Sequence, residues 1–500
     1  MRGSVLLTFN ETIDDLGLDA ITINVAGQER YIRYIDSNRI YTTPINTGEI
    51  GQITLLATSY TESSSNITIK RIDYTTDDVD GDNGIKETLI DSFYVTSGDT
   101  TFTFTATTRP DAYGFRYVID VNKCFNSGTG FTYTFLTGQT GSTRVREVKV
   151  FDEKIYIGGR FNYYNNNLYS GMTILNSNGT VYSGFSYNNF GDAANRDYQG
   201  ITSIEVLSNG KMYVGGSFIN YSGVTAYSLV KLNSDGTLDT SFTVGPNYNE
   251  AVLDIEVQSD GKVMVLGSFS QFSGTSRNGI LRLNTNGTLD TSFNPGTGIS
   301  PLSSSEPIDM TIQSDGKIIV VGNFTSYNGN SRNRIVRINT DGSIDSSFSI
   351  GTGLNAAAYS VEVQSDGKIL VCGDFSTYNG ITRNGIVRLN SDGSIDTSFT
   401  SPFSSSSVNC YDNEILSNGK ILVATNVSVG SLYRLNSDGS FDTSFNNPIY
   451  NSTETFSVET IAVNTNNEIY VGGAFTIFDG FSMGRFVKLD ENGNLLNCVQ

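Results

Sequence analysis

The densest cluster of potential metal ligands in this 500-residue chain is Asp78-Val-Asp80-Gly-Asp82-Asn-Gly-Ile-Lys-Glu87. Alternating carboxylates on a tight turn suit a hard, oxygen-seeking cation such as Ca²⁺. The run departs from the EF-hand pattern. Asn83 stands where the sharp turn needs glycine, and Glu87 comes two residues early. Asp78, Asp80, Asp82 and Glu87 are therefore candidate calcium ligands, with a plain acidic hairpin loop as the competing reading. No other cofactor is required.

Other chemistry is narrowed by what the chain lacks. It contains no histidine, which removes Ser-His-Asp and Cys-His catalysis and imidazole metal sites. Carboxylate-only chemistry stays open, but no unique carboxylate pair stands out, so the expectation is a non-enzyme. Cys124, Cys372, Cys410 and Cys498 show no metal-ligand spacing. Cys372 replaces a glycine within a strand and reads as a small buried hydrophobe. Cys124 and Cys498 flank the repeat region, and their pairing is left open. The glycine pairs Gly158-Gly159, Gly215-Gly216 and Gly472-Gly473 lack phosphate-loop spacing.

Two further sets of residues recur. Aromatics occupy one loop position: Tyr163, Tyr164, Tyr221, Phe272, Tyr327, Tyr378 and Phe478. They form a candidate interaction face for a glycan or a protein epitope. Their repetition favours the alternative, packing between repeats. Arg277, Arg332 and Arg383 recur in a neighbouring loop position, and Asp239, Asp290, Asp345, Asp396 and Asp442 recur further on. These read as structural ion pairs or turn caps rather than a ligand site.

All of these positions are set by a repeat. The clearest copies run from Gln313 to Phe348 and from Gln364 to Phe399, and seven copies follow one another at about 50 residues. Marker lysines stand at Lys154, Lys211, Lys262, Lys317, Lys368 and Lys420, with Glu468 in the seventh copy. In each copy a strand ends in an Asp-Gly hairpin turn and a second strand carries Val-x-Gly-x-Phe. A loop of about ten residues leads to a third strand, and another turn opens a fourth. Four antiparallel strands make one β-propeller blade. The segment from Phe131 resembles the end of a repeat and is expected to complete the seventh blade. The loops between second and third strands and those between repeats vary most and are expected to share one face.

Residues 1–123 lack the repeat. Alternating segments at Ser4–Phe9, Ala20–Val25, Arg30–Ile35, Gln52–Ala57, Asn66–Tyr74, Thr88–Val95, Thr101–Thr107 and Phe115–Val121 predict strands at the spacing of a β-sandwich. The fold class expected is all-β: a β-sandwich over 1–123, a linker over 124–130 and a seven-bladed β-propeller over 131–500.

The pattern QSDGKIxVxGxF, then YNG, then RNGIVRLNxDGSxDxSF, resembles the delta-60 repeat of bacterial surface and secreted proteins, which also occurs in bacteriophage proteins. The first and sixth copies are degenerate. The resemblance implies a seven-bladed propeller and no particular activity.

Net charge is −19, and a diffuse negative surface repels nucleic acid and anionic membranes. No stretch reaches transmembrane length. The N-terminal apolar run, Val5 to Phe9, is too short for a signal peptide. These features predict a virion component of a tailed phage: tail or tail-fibre associated, or a head decoration. It would be made in the host cytoplasm and held in a homo- or hetero-oligomeric assembly. Residues 1–123 would attach to other virion proteins, and the propeller would meet a host-surface glycan or protein. The alternatives are a secreted or cell-surface bacterial adhesion propeller and a carbohydrate-active propeller enzyme.

Overall fold

The computed structural model divides the chain into two compact units, Met1–Asn126 with Asn497–Gln500, and Ser127–Leu496. In the first unit it describes the strands. In the second it describes residues 130–132, 143–187, 190–191, 200–244, 251–300, 309–426, 432–447, 457–478 and 481–496.

The first unit holds two sheets. One has the order Ile32–Asp36, Arg39–Thr42, Leu6–Phe9, Gly114–Lys123, Ser65–Tyr74, Ile85–Val95. Its pairings are antiparallel except Leu6–Phe9 with Gly114–Lys123, which run parallel. The other has the order Gln28–Arg30, Thr22–Val25, Gly51–Leu56, Thr101–Ala106. Every segment predicted from alternation overlaps a strand. Gln28–Arg30 and Arg39–Thr42 are additional, being too short for alternation to show.

In the second unit each repeat builds one three-stranded antiparallel sheet. The fifth is typical: Ala358–Val363, Ile369–Gly373, Ile386–Leu389. The middle strands of the second to seventh repeats are buried along their whole length, because a neighbouring sheet covers each face. That is why they read as unbroken apolar runs such as Ile-Leu-Val-Cys. First strands line the inside of the ring. Each packs on the first strand of the next sheet, and that of the seventh packs on that of the first.

The predicted fourth strand is reduced to one bridging pair, such as Leu389 with Ile395. The chain then turns away, because the Asp396 carboxylate accepts the Ser398 N–H at 2.9 Å and its hydroxyl at 2.7 Å. The Asp-Gly turn also differs from a two-residue hairpin. Gln364 and Lys368 close the loop and Gly367 takes the left-handed conformation, φ 81°, as in a type I turn followed by a bulge.

The loop between second and third strands is itself a small hairpin, for example Ser326–Tyr327 with Asn330–Ser331. The connection arriving from the previous repeat adds a further strand, Ile299–Ser300. The two variable loops therefore lie together, hydrogen-bonded.

Ring closure differs from expectation. The seventh sheet takes its fourth position, Leu495, from its own repeat. Phe131–Thr132 pairs instead with Tyr163–Tyr164 of the first repeat, and the Phe131 N–H donates to the Gly484 carbonyl at 2.9 Å. Ile299 makes the equivalent bond to Asn278, 3.0 Å. The entering segment thus acts as an inter-repeat connection rather than a blade strand. Gly130 is required there: a Cβ would lie 2.2 Å from Gly484 Cα, and its φ is +71°. Arg485 Nε to the Thr143 carbonyl (3.1 Å) and Arg144 to Glu459 (2.9 Å) complete the seam.

Candidate functional site

The repeated ionic residues assemble into a clasp at each junction from the third to the sixth repeat. In the fourth, Asp345 Oδ2 receives Arg337 Nε at 2.8 Å and Lys317 Nζ at 3.2 Å. Its other oxygen receives the Ser347 N–H and hydroxyl. The Arg337 guanidinium stacks over Phe348, 4.6 Å to the ring centre, and donates to the Ser391 carbonyl in the next repeat. Arg282–Asp290, Arg388–Asp396 and Arg434–Asp442 repeat the set at 2.7, 2.7 and 2.6 Å. In the second repeat Lys211 and Lys231 serve Asp239. In the seventh, Lys488 pairs with Glu468 at 2.7 Å and reaches the Ser177 carbonyl of the first repeat.

This corrects the choice of arginine. Arg277, Arg332 and Arg383 donate to the carbonyls of Ser276, Ser331 and Thr382. The clasp uses instead the buried arginines of the third strands. Burial acts to raise the Asp345 carboxyl, but hydrogen bonds from Ser347, Lys317 and Arg337 outweigh it and hold it well below the usual range.

The recurring aromatics do not form an interaction face. Tyr164, Tyr221, Phe272, Tyr327, Tyr378 and Phe478 are buried; Tyr163 is partly exposed. Each of the four buried tyrosines donates its hydroxyl to the glycine carbonyl of the following turn. Tyr327 to Gly342 is 2.7 Å, and Tyr164 to Gly179 is 2.8 Å. Packing against the turn explains why the aromatics repeat. Tyr327→Phe is expected to lower unfolding stability by about 1 kcal/mol, by loss of one buried bond, measurable in urea melts. A loss below the error of the melt would refute the latch.

What the ring does present is its interior. A channel of about 500 Å³ is lined by the first strands. Alternation along those strands sorts its side chains into two tiers. The first tier includes Glu147, Asp254, Asp309 and Asp412, each beside a local break in register or at a strand start. These aspartates accept backbone N–H groups from the neighbouring sheet: Met310 to Asp254 at 3.0 Å, Val361 to Asp309 at 2.7 Å, Ile461 to Asp412 at 2.8 Å. They are ties between blades. The second tier holds Lys149, Glu205, Glu256, Glu362 and Glu414.

Burial within the ring raises these carboxyls, and repulsion from neighbouring acids is the next cause at Glu256, Asp309, Glu362 and Glu414. Glu256 is pushed up to about 8 by burial, then by Asp254 and Glu205. Glu414 rises to about 7 by burial, then Asp412. Asp412 rises only to about 6, because hydrogen bonds from Ile461 and Ser360 oppose its burial. Glu147 rises to about 8, with Lys149 opposing. The channel admits water: the Lys149 side chain is 50% exposed and that of Glu147 17%. The stacked rings of Tyr359 and Tyr411, 5.7 Å apart, also lie on its wall.

The channel acids were not singled out from sequence, yet a signal exists. Glu205, Glu256, Glu362 and Glu414 each precede the marker lysine by the same interval. Asp78, Asp80 and Asp82 lie outside the described residues, as do the Glu87 side chain, Cys124 and Cys498. Among the described residues no group of three or more metal-ligating side chains is arranged to hold an ion.

The family described as "Domain of unknown function (DUF5122) beta-propeller" matches residues 207–242, 258–293, 313–348, 364–399 and 416–445. The repeat region is a β-propeller. No curated protein matches the sequence. Among solved structures, similarity is found to PorZ, a surface component of the type-IX secretion system of Porphyromonas gingivalis. It shows 12% identity and a TM-score of 0.42, over 86% of this chain and 54% of that one. YCF48 bound to D1 peptide shows 12% identity and a TM-score of 0.38, over 66% and 91%. Puromycin hydrolase shows 11% identity and a TM-score of 0.43, over 76% and 56%. The chain thus spans about half the length of the first and third of these similar structures.

Proposed function

We propose that this protein is a non-enzymatic structural and binding component of a tailed-phage virion, tail- or tail-fibre-associated or decorating the head. In this reading a seven-bladed propeller of delta-60-type repeats is a rigid display module. Residues 1–123 attach it to other virion proteins, and the propeller meets a host-surface glycan or protein. The supporting observation is the use made of the repeated charges. The clasp lysines, arginines and aspartates bond to one another and to the next repeat's backbone, which stiffens a scaffold and leaves those groups unavailable for turnover. The acidic channel adds a polar interior that discourages nucleic acid.

The test is immunogold labelling with an antibody to the full chain, on particles from lysates and on intact uninfected cells. Label on particles is the expected result. Label confined to the surface of uninfected cells would overturn the virion reading in favour of a bacterial adhesion propeller. Robust glycan turnover by the purified chain would overturn the non-enzymatic reading.

A further inference from the structure

One inter-sheet contact recurs around the ring, between a residue near the end of a second strand and the start of the next first strand. Gly158 faces Ile201, Gly215 faces Val252 and Gly472 faces Val145. A Cβ built on these glycines lies 3.2, 3.2 and 3.1 Å from the partner's own Cβ, and 2.8, 2.6 and 2.4 Å from its nearest branch carbon. The pairs are therefore matched in size, small against branched, and the sheets approach about as closely as side chains permit. Between the fifth and sixth sheets the same two places are held by Cys372 and Cys410. Both are free thiols and fully buried. The Cys372 thiol donates to the Cys410 carbonyl at 3.3 Å, and the Cys410 thiol donates to the Asp412 carbonyl at 3.7 Å.

A disulfide asks for a Cβ–Cβ separation of about 3.5–4.5 Å. The equivalent glycine contacts are only slightly closer than that, so a pair with two real Cβ atoms needs the sheets to part by a few tenths of an ångström. We propose that Cys372 and Cys410 are a latent inter-blade cross-link, closed when the chain folds in, or passes into, an oxidising medium. The reaction is thiol–disulfide exchange with a small-molecule disulfide of the glutathione type. One cysteine thiolate attacks the reagent and forms a mixed disulfide, releasing one reagent thiol. The second cysteine then displaces the other. One S–S bond forms in the protein, one breaks in the reagent, and both cysteine protons pass to the two thiols released. A reducing cytoplasm keeps the pair open and an extracellular medium closes it.

The surroundings set when this happens. Burial, then the hydrogen bond that it donates to its neighbour, raises the Cys372 thiol well above its ordinary range, and no reagent reaches either sulfur in the closed ring. Exchange therefore requires the fifth and sixth sheets to be apart, during folding or on opening. Once closed, the bond is shielded from reductant by the same burial.

The full chain is refolded from denaturant in oxidised and reduced glutathione, alkylated under denaturing conditions, digested and mapped by mass spectrometry. The expected product is a peptide pair joined through Cys372 and Cys410, lighter by two hydrogens than its free parts. It should resist reduced glutathione in the native protein and yield to it after unfolding. The oxidised protein should melt a few degrees higher than the reduced one. That increment should vanish in Cys372→Ala, which copies Ala424 of the next repeat. Recovery of both residues fully alkylated at every glutathione ratio, or cross-links confined to Cys124 or Cys498, would overturn the proposal. If Cys372→Ala fails to fold, the peptide map of the unmodified chain still decides the matter.

Discussion

Asp345→Ala should lower the unfolding free energy by about 3–5 kcal/mol, the range for stranding a buried charge. The carboxylate is buried, and so is the Arg337 guanidinium that it neutralises. Removal leaves Arg337 with neutral partners alone, the Ser391 carbonyl, the Ser347 hydroxyl, the Gln313 side-chain oxygen and the Phe348 ring, with Lys317 losing its inner partner and the turn losing its cap. Asp315 is the internal control. It also pairs with Lys317, at 3.3 Å, but its side chain is 55% exposed. Asp315→Ala should therefore cost only about 0–1 kcal/mol. Guanidinium melts of both variants, with hydrogen exchange at the 339–348 turn, test the contrast. Equal losses for the two substitutions would show that the inner carboxylate is not a clasp.

Stability should peak near pH 4–5 and fall steadily toward pH 8.5. Two sets of carboxylates with opposite shifts produce this profile. The clasp aspartates have depressed folded values, about 2 for Asp239 and lower for Asp290 and Asp345. Their contribution is present above the unfolded value of about 3.9 and is lost as pH falls toward the folded one. The channel carboxyls have raised folded values, about 6 for Asp412, 7 for Glu414 and 8 for Glu256. Below the unfolded value of about 4.3 they are neutral in both states. As pH rises from there to about 8, the unfolded chain ionises first, and stability drains away. Water in the channel screens the repulsion, and the ring titrates as a coupled group rather than residue by residue. Glu256→Gln, which fixes the neutral form, should raise Tm at pH 8, raise it much less at pH 5 and leave it nearly unchanged below pH 4. A Tm that rises between pH 5 and 8 in the unmodified protein would contradict the electrostatic picture of the channel.

The repeat made the propeller legible because turns and fully buried middle strands leave local marks: Ser-Asp-Gly-Lys, and the apolar run before each Gly. The clasp was half legible. Each copy from the third to the fifth offers arginines in the loop and in the third strand, such as Arg332 and Arg337. Position in a loop suggested the wrong one. Which of them reaches Asp345 depends on the side of the strand it leaves from, and on a carbonyl from another repeat. The aromatics were legible as packing from their repetition, but not their partner: the hydroxyl of a tyrosine in a hairpin finds a glycine carbonyl fifteen residues on. The channel stayed hidden because its carboxylates come from separate repeats and meet only when the ring closes. The cysteine pair was invisible as a pair, since 38 residues separate the two.

The seam at Arg144 and Glu459 joins groups 315 residues apart in sequence. During synthesis, at about 5–20 residues per second, roughly 15–60 s pass between the emergence of one and of the other. For that interval the first sheet has an uncovered flank and every later sheet inherits one. The acids of the inner strands then face open solvent, where their repulsion is weak. They crowd together only at the final docking event. The ring is thus kept soluble while incomplete by the same charges that oppose its last step.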